Sequence, residues 1–291
     1  MQIKTVSVIG AGVMGSGIAT VSLIGGFKVN LIDISEEFVQ KAKSKIEKNL
    51  LKSVEKEVIT DERRIEILGN LNISADFASV AGSQLIIEAV SENLDIKKKL
   101  FAQLCENADS EAIIASNTSA LRISDLAALY TKPENVIGMH FFNPPVVMKL
   151  VELIRIEKTT DEIFNTAKDF VLALGKEPVE VKESPGFVVN RVLIPMINEA
   201  AILYGEGVSS AEDIDKAMIF GANHPIGPLA LADMIGIDVC LSIMETLKQD
   251  LSSDKYNPAP VFKQFIDAGK LGKKSGIGFY DYSEQKQPVK A

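Results

Sequence analysis

The sequence predicts an α/β protein in which a mainly parallel, helix-covered sheet is followed by a smaller all-α domain. Three observations carry that expectation. Between Thr5 and Ile154, short β-rich runs alternate with longer segments of helical period. Ser184-Pro185-Gly186 then punctuates the chain. Beyond it the β signal fades, and what remains reads as helices separated by glycine and proline stops.

Taken in order, the expected strands are Thr5–Ile9, Lys28–Ile32, Leu71–Ser74, Leu85–Glu88, Ala112–Ser116, Val136–Met139 and Leu150–Ile154. A long helix is expected at Glu36–Ile59 and another at Asp161–Leu174, stopped by Gly175. Pro178–Val181 reads as one more extended segment. The later helices are expected at Phe187–Tyr204, Ser210–Phe220, Asp233–Gln249 and Ala259–Ala268. The resulting division is a sheet domain over 1–184, a helical domain over 185–283 and a polar tail over 284–291.

Composition narrows the functional classes. The 291 residues are 46% hydrophobic and 24% charged, as in a folded globular enzyme. A net charge of −8 disfavours a general role on nucleic acid, where a basic surface provides the affinity. Cys105 and Cys240 are the only thiols, too few for a disulfide framework or a cysteine-based metal site, and no metal is expected. No stretch has the length of uncharged apolar sequence that a membrane span needs, and Met-Gln-Ile-Lys-Thr runs straight into the first strand without a leader. The expected compartment is the cytoplasm.

The first strand leads directly into Gly10-Ala-Gly12-Val13-Met14-Gly15 at the mouth of a helix. Gly10 permits the tight turn, Gly12 leaves room for a pyrophosphate against backbone amides, and Gly15 lets the helix lie close to the strand. About eighteen residues further on, Asp33 ends the second strand, where a carboxylate can take the ribose hydroxyls of an adenosine. This is a Rossmann-like dinucleotide signature. With no arginine near Asp33 to neutralise a 2′-phosphate, NAD is favoured over NADP, and FAD is the residual alternative.

The chain has 2 histidines, His140 and His224. His140 is the better placed for acid/base work, because it ends an apolar strand on the edge where open α/β sheets gather ligands. Glu152 sits inside the otherwise apolar Leu150–Ile154, where an unpartnered carboxylate is costly. If the Pro144-Pro145 turn folds one strand back beside the other, Glu152 can hold one ring nitrogen of His140. A half-exposed strand glutamate is the plainer alternative.

Lys41, Lys45, Lys48, Lys52 and Lys56 recur at helical spacing along one side of Glu36–Ile59. Periodicity alone leaves an ordinary solvated face and an anion-binding stripe equally open.

Together, Gly10–Gly15, Ser116-Asn-Thr-Ser119, Gly138-Met-His-Phe-Phe-Asn-Pro144, Ser184-Pro-Gly-Phe-Val-Val-Asn-Arg191 and Gly272-Lys-Lys-Ser-Gly-Ile-Gly-Phe-Tyr280 resemble the 3-hydroxyacyl-CoA dehydrogenase family, in particular the short bacterial 3-hydroxybutyryl-CoA dehydrogenases. The resemblance covers almost the whole chain. It implies an acyl-CoA substrate, His140 as acid/base, Glu152 as its partner, and Ser119 and Asn190 as polar contacts at the reacting oxygen. Read without it, Ser119 is a helix cap and Asn190 an exposed helical polar residue. It further implies cofactor contacts from Gly10, Gly12, Val13, Met14, Gly15, Asp33, Glu92, Lys97, Asn117 and Asn143. Asn223 would wall the acyl pocket, and Lys48, Lys52 and Lys56 would lie near the phosphates of coenzyme A. His224 is taken as structural. A homodimer formed through the helical domain is the corresponding expectation.

Overall fold

The structure is a computed structural model and describes residues 2–283, so the tail expected at 284–291 lies outside the described residues. The chain divides into two compact units, Met1–Phe187 and Val188–Ala291.

The first unit is built on one sheet of 8 strands: β1 (Thr5–Ile9), β2 (Lys28–Ile32), β3 (Leu71–Ser74), β4 (Leu85–Glu88), β5 (Ile113–Ser116), β6 (Val136–Phe141), β7 (Leu150–Arg155) and β8 (Glu177–Lys182). Their spatial order is β3-β2-β1-β4-β5-β6-β7-β8. Strands β1 to β6 are mutually parallel, β7 runs antiparallel to β6, and β8 is parallel to β7. The order reverses between β1 and β4, which opens a crevice at their carboxyl ends, the usual ligand position in such sheets.

Helices cover both faces because the strands are apolar on both. Leu85 and Ile87 of β4 pack with α1 (Val13–Ile24), α2 (Glu36–Glu55), α3 (Asp61–Gly69) and α6 (Asp161–Ala173). Ile86 points the other way, into a core shared with α4 (Leu94–Asn107) and α5 (Ile123–Ala127). Most element bounds in this unit lie within two residues of the sequence expectation, the end of the long helix excepted. Helix α2 stops at Glu55 because Lys56 caps it and Glu57 takes a left-handed conformation at φ 55°, folding Val58 and Ile59 back onto the Ser53 carbonyl. Counted by compactness, the first unit extends through Phe187, which is buried in the α4/α5 core.

The second unit contains α7 (Val189–Gly205), α8 (Ala211–Lys216), α9 (Pro228–Ile235), α10 (Ile237–Leu251) and α11 (Pro260–Asp267) around their own apolar core. The single helix expected at Asp233–Gln249 is instead two. Pro228 opens α9, and Gly236 at φ 110° breaks the chain before α10 starts. The helix expected over Ser210–Phe220 relaxes after Lys216 into a π-helical turn, Ala217–Gly221.

Two buried carboxylates hold this unit together. Asp215 accepts from the Leu229 and Ala230 amides in the first turn of α9 and from the Tyr280 hydroxyl. Asp233 accepts from the Phe279 and Tyr280 amides and the Tyr282 hydroxyl. Burial pushes both carboxyls above the ordinary aspartate value, against the opposing effect of those donors.

Candidate active site

Strands β6 and β7 pair in a register that sets His140 directly opposite Glu152. Residues opposed in an antiparallel pair project to the same face, so the two side chains meet: His140 Nδ1 lies 2.8 Å from Glu152 Oε2. His140 is 6% exposed and Glu152 is 0% exposed, which removes the reading of Glu152 as a half-exposed strand residue. A carboxylate can only accept, so Nδ1 carries the proton in this pair and Nε2 is left as the basic nitrogen. The rings of Phe142 and Phe187 lie 4.5 and 5.6 Å from the imidazole and wall it with apolar surface. Phe187 reaches that position from a left-handed backbone at φ 51°. The sequence motif around Gly186 contains Phe187 but does not reveal this conformation.

At the switch point between β1 and β4 lies a cleft of ≈ 540 Å³, lined by Gly10, Gly12, Val13, Asp33, Lys41 and Lys45 among others. The three glycines serve different purposes. A β-carbon at Gly15 would lie 1.7 Å from the Gly10 carbonyl oxygen, so that position is fixed by packing. Gly10 itself has φ 103°. At Gly12 an added β-carbon would meet nothing within 4 Å, so internal packing does not require a glycine there and the space in front of it is open. Gly12 is also the N-cap of α1 and supplies no side-chain cap, which leaves the first-turn amides directed outward. Asp33 holds the loop, accepting from Ala11 N at 2.6 Å and Ile34 N at 2.7 Å. Open room at Gly12, uncapped amides and a carboxylate at the end of β2 fit a dinucleotide, with Val13 at the cleft wall and Met14 half-buried behind it.

A polar network occupies the carboxyl ends of β4 and β5. Glu92 Oε1 accepts from the Ser119 amide at 2.7 Å and from the Ser119 hydroxyl at 3.2 Å, while Oε2 accepts from Thr118 Oγ1. Ser119 is therefore not a helix cap: α5 is entered at Arg122 without a side-chain cap, and Thr118 accepts from the Leu121 amide in the turn before it. Lys97, expected as a cofactor contact, is held inside the protein. It is 1% exposed, and its ammonium lies 2.6 Å from both oxygens of Glu88, with Glu92 at 3.8 Å. Internal pairing claims the charge, because an exposed approach to the cleft would leave Glu88 buried and unneutralised. The side-chain oxygen of Asn117 accepts from the Phe141 amide, so at least half of its carboxamide ties β5 to β6. Glu88 escaped the sequence reading although a signal like the one that marked Glu152, an acid in an otherwise apolar strand, was present in Leu85–Glu88.

Asn143 is exposed in the loop after β6, before a cis peptide bond to Pro144. Lys48 and Lys52 are exposed on α2, and Lys56 is its exposed C-terminal cap. Asn190 and Asn223 belong to the second unit. Asn190 is half-buried in the first turn of α7, and Asn223 is exposed with a left-handed φ of 57°. The His224 amide donates to the Met218 carbonyl beside the π-helical turn. Among the described residues no group of three His, Cys, Asp or Glu side chains is placed to hold a metal ion. No helix among them is long and apolar enough to cross a membrane.

A dinucleotide cleft and a buried imidazole–carboxylate pair on one sheet edge are the equipment of an NAD-linked oxidoreductase. The chain belongs to the 3-hydroxyacyl-CoA dehydrogenase family: residues 5–184 match its NAD binding domain and residues 186–282 its C-terminal domain. A 3-hydroxybutyryl-CoA dehydrogenase of Bradyrhizobium diazoefficiens is 46% identical over 280 residues, covering 96% of each chain. The human mitochondrial hydroxyacyl-coenzyme A dehydrogenase is 42% identical over 287 residues, covering 96% of this chain and 91% of its own. The crystal structure of (S)-3-hydroxybutyryl-CoA dehydrogenase from Ralstonia eutropha superposes with a TM-score of 0.94 at 44% identity, covering 97% of this chain and 100% of that one.

Proposed function

We propose that the chain interconverts (S)-3-hydroxyacyl-CoA and 3-oxoacyl-CoA with NAD, acting on the short-chain pair 3-hydroxybutyryl-CoA and acetoacetyl-CoA. The observation that carries the chemical assignment is the 2.8 Å contact between His140 and Glu152 inside a nearly dry setting.

In the oxidative direction His140 Nε2 takes the proton of the substrate 3-hydroxyl. NAD, when bound, supplies the hydride acceptor. Glu152 fixes the ring orientation and favours the imidazolium that proton removal creates. In the reductive direction the imidazolium returns the proton to the 3-oxo oxygen. Ser119 and Asn190 are assigned to hold that oxygen. Glu92 orients Ser119 through the two bonds described above. Phe142 and Phe187 exclude water from the imidazole.

Gly10, Gly12, Val13, Met14, Gly15 and Asp33 would hold the adenosine diphosphate half of the cofactor, and Asn143 would lie by its nicotinamide half. The exposed ammonium groups of Lys48, Lys52 and Lys56 are assigned to the phosphates of coenzyme A, and Asn223 to the acyl pocket. The second unit leaves Val192, Phe220 and Met234 exposed, which supports a homodimer through that unit. The cytoplasm is the proposed compartment.

The test is direct: NADH is mixed with the protein and acetoacetyl-CoA is added. Rapid loss of nicotinamide absorbance is expected. Binding of NADH without turnover by any 3-oxoacyl-CoA from C4 to C10 would remove the assignment.

A further inference from the structure

Lys176, just beyond α6, is 8% exposed, and its ammonium donates to the main-chain carbonyls of Pro145 and Met148, each at 2.6 Å. Both carbonyls belong to the loop 142–149, the connection from the His140 strand to the Glu152 strand. Among the described residues no ion pair involves Lys176, so the charge rests on carbonyl dipoles alone. Burial accordingly holds its pKa below the ordinary lysine value. Burying an ammonium without a carboxylate is costly, and a neutral staple would tie the loop at less expense.

The opposite side of the same loop is also fixed. A β-carbon at Gly17 would lie 2.8 Å from the Pro145 ring, so the loop rests directly on α1, the helix that opens the nucleotide cleft. The backbone of Lys176 is itself set by the left-handed Gly175 at φ 68°, and Glu177 N donates to Lys149 O at the end of the loop. The loop is thus clamped between a buried cation and the nucleotide-binding helix, and it carries Asn143.

We propose that Lys176 is a positioning residue for the dehydrogenase reaction: its buried ammonium sets the loop 142–149 against α1 and so fixes Asn143 relative to His140. The Lys176 ammonium is turned onto the main chain of the loop and away from solvent. Its removal therefore affects alignment at the reacting centre, where displacements of about 1 Å can cost about a hundredfold in rate, more than it affects ground-state binding.

The inference rests on the proposed function, so turnover of acetoacetyl-CoA by the wild type is measured first; failure there overturns that reading. The variants are then Lys176→Met, which keeps the chain length without donors, and Lys176→Arg, which keeps charge and donors. Lys176→Met is expected to lower kcat about tenfold or more while KM and the NADH dissociation constant stay within about threefold, and Lys176→Arg is expected to recover most of the loss. Should Lys176→Met fail to fold, Lys176→Gln, with one amide donor, takes its place and is expected to fall between wild type and that loss. A folded donor-free variant with wild-type kcat, a loss seen equally in NADH affinity, or failure of arginine to recover more than glutamine would overturn the role.

Discussion

The imidazole of His140 and the carboxylate of Glu152 occupy paired positions on neighbouring antiparallel strands, 2.8 Å apart and almost wholly shielded from water. Groups so joined act as one unit, and their removal is not additive. His140→Gln is expected to lower kcat by about 10²- to 10⁴-fold, the usual contribution of general acid/base catalysis. Glu152→Gln should cost less, and the double variant should be little worse than His140→Gln alone. Steady-state rates with acetoacetyl-CoA and NADH, beside NADH binding by fluorescence, check this. Independent, multiplying losses would show that the two side chains act separately.

Two glycines of the cofactor turn separate packing from ligand accommodation. At Gly15 an added methyl group would collide with the Gly10 carbonyl, so Gly15→Ala should lower the melting temperature and weaken NADH binding together. At Gly12 the added methyl group meets no protein atom, so Gly12→Ala should melt within a few degrees of wild type yet bind NADH about tenfold or more weakly. Thermal unfolding and NADH titration of both variants give the comparison. Tight NADH binding by Gly12→Ala would take the pyrophosphate away from that turn.

The lysine face of α2 makes a prediction about substrate size. If Lys48, Lys52 and Lys56 attract the phosphates of coenzyme A, replacing all three with methionine should raise KM for acetoacetyl-CoA about tenfold. It should leave KM for acetoacetyl-N-acetylcysteamine, which lacks those phosphates, unchanged. Raising ionic strength should weaken the wild type toward the variant, because exposed charges are screened over roughly 10 Å at 0.1 M salt. An equal effect on both thioesters would make the stripe an ordinary solvated face.

Burial raises the carboxyl pKa of Asp233 in the folded state, with the nearby Asp215 adding to the rise. A carboxyl whose folded value lies above its unfolded value favours folding most when protonated in both states. Its contribution is therefore full below the ordinary aspartate range near pH 4 and diminishes as pH rises through the raised folded value. An asparagine carboxamide does not titrate, so the stability of wild type minus that of Asp233→Asn should decrease as pH increases across that window. Urea unfolding at several pH values between about 4 and 7 reads it, and a difference that grows with pH would contradict the burial argument.

Much of the fold was legible because its signals are local. Most strands of the sheet are short apolar runs, and the glycine turn and Asp33 sit where strand ends require them. The proximity of His140 to Glu152 could be read because a buried acid needs a partner. What was hidden depends on backbone conformation or on distant packing. Nothing local announces that Gly236 adopts φ 110° and splits a periodic run into α9 and α10, or that Glu57 turns left-handed and shortens α2. Lys97 carries the helical surface pattern of its neighbours Lys98 and Lys99, yet it is the one that turns inward to Glu88. Lys176 was likewise invisible, since its acceptors are main-chain carbonyls that leave no mark in the sequence.

Because β7 turns back on β6, His140 and Glu152 are joined by one hairpin connection and need no crossover helix to meet. Side chains alternate along a strand, so shifting the β6/β7 alignment by a single residue would turn Glu152 to the far face of the sheet. The length of the loop 142–149 thereby bears on whether the two side chains stay opposed. Insertions of even length leave a route by which the alternation can be restored, whereas an odd insertion absorbed by strand slippage would separate acid from base without altering either residue.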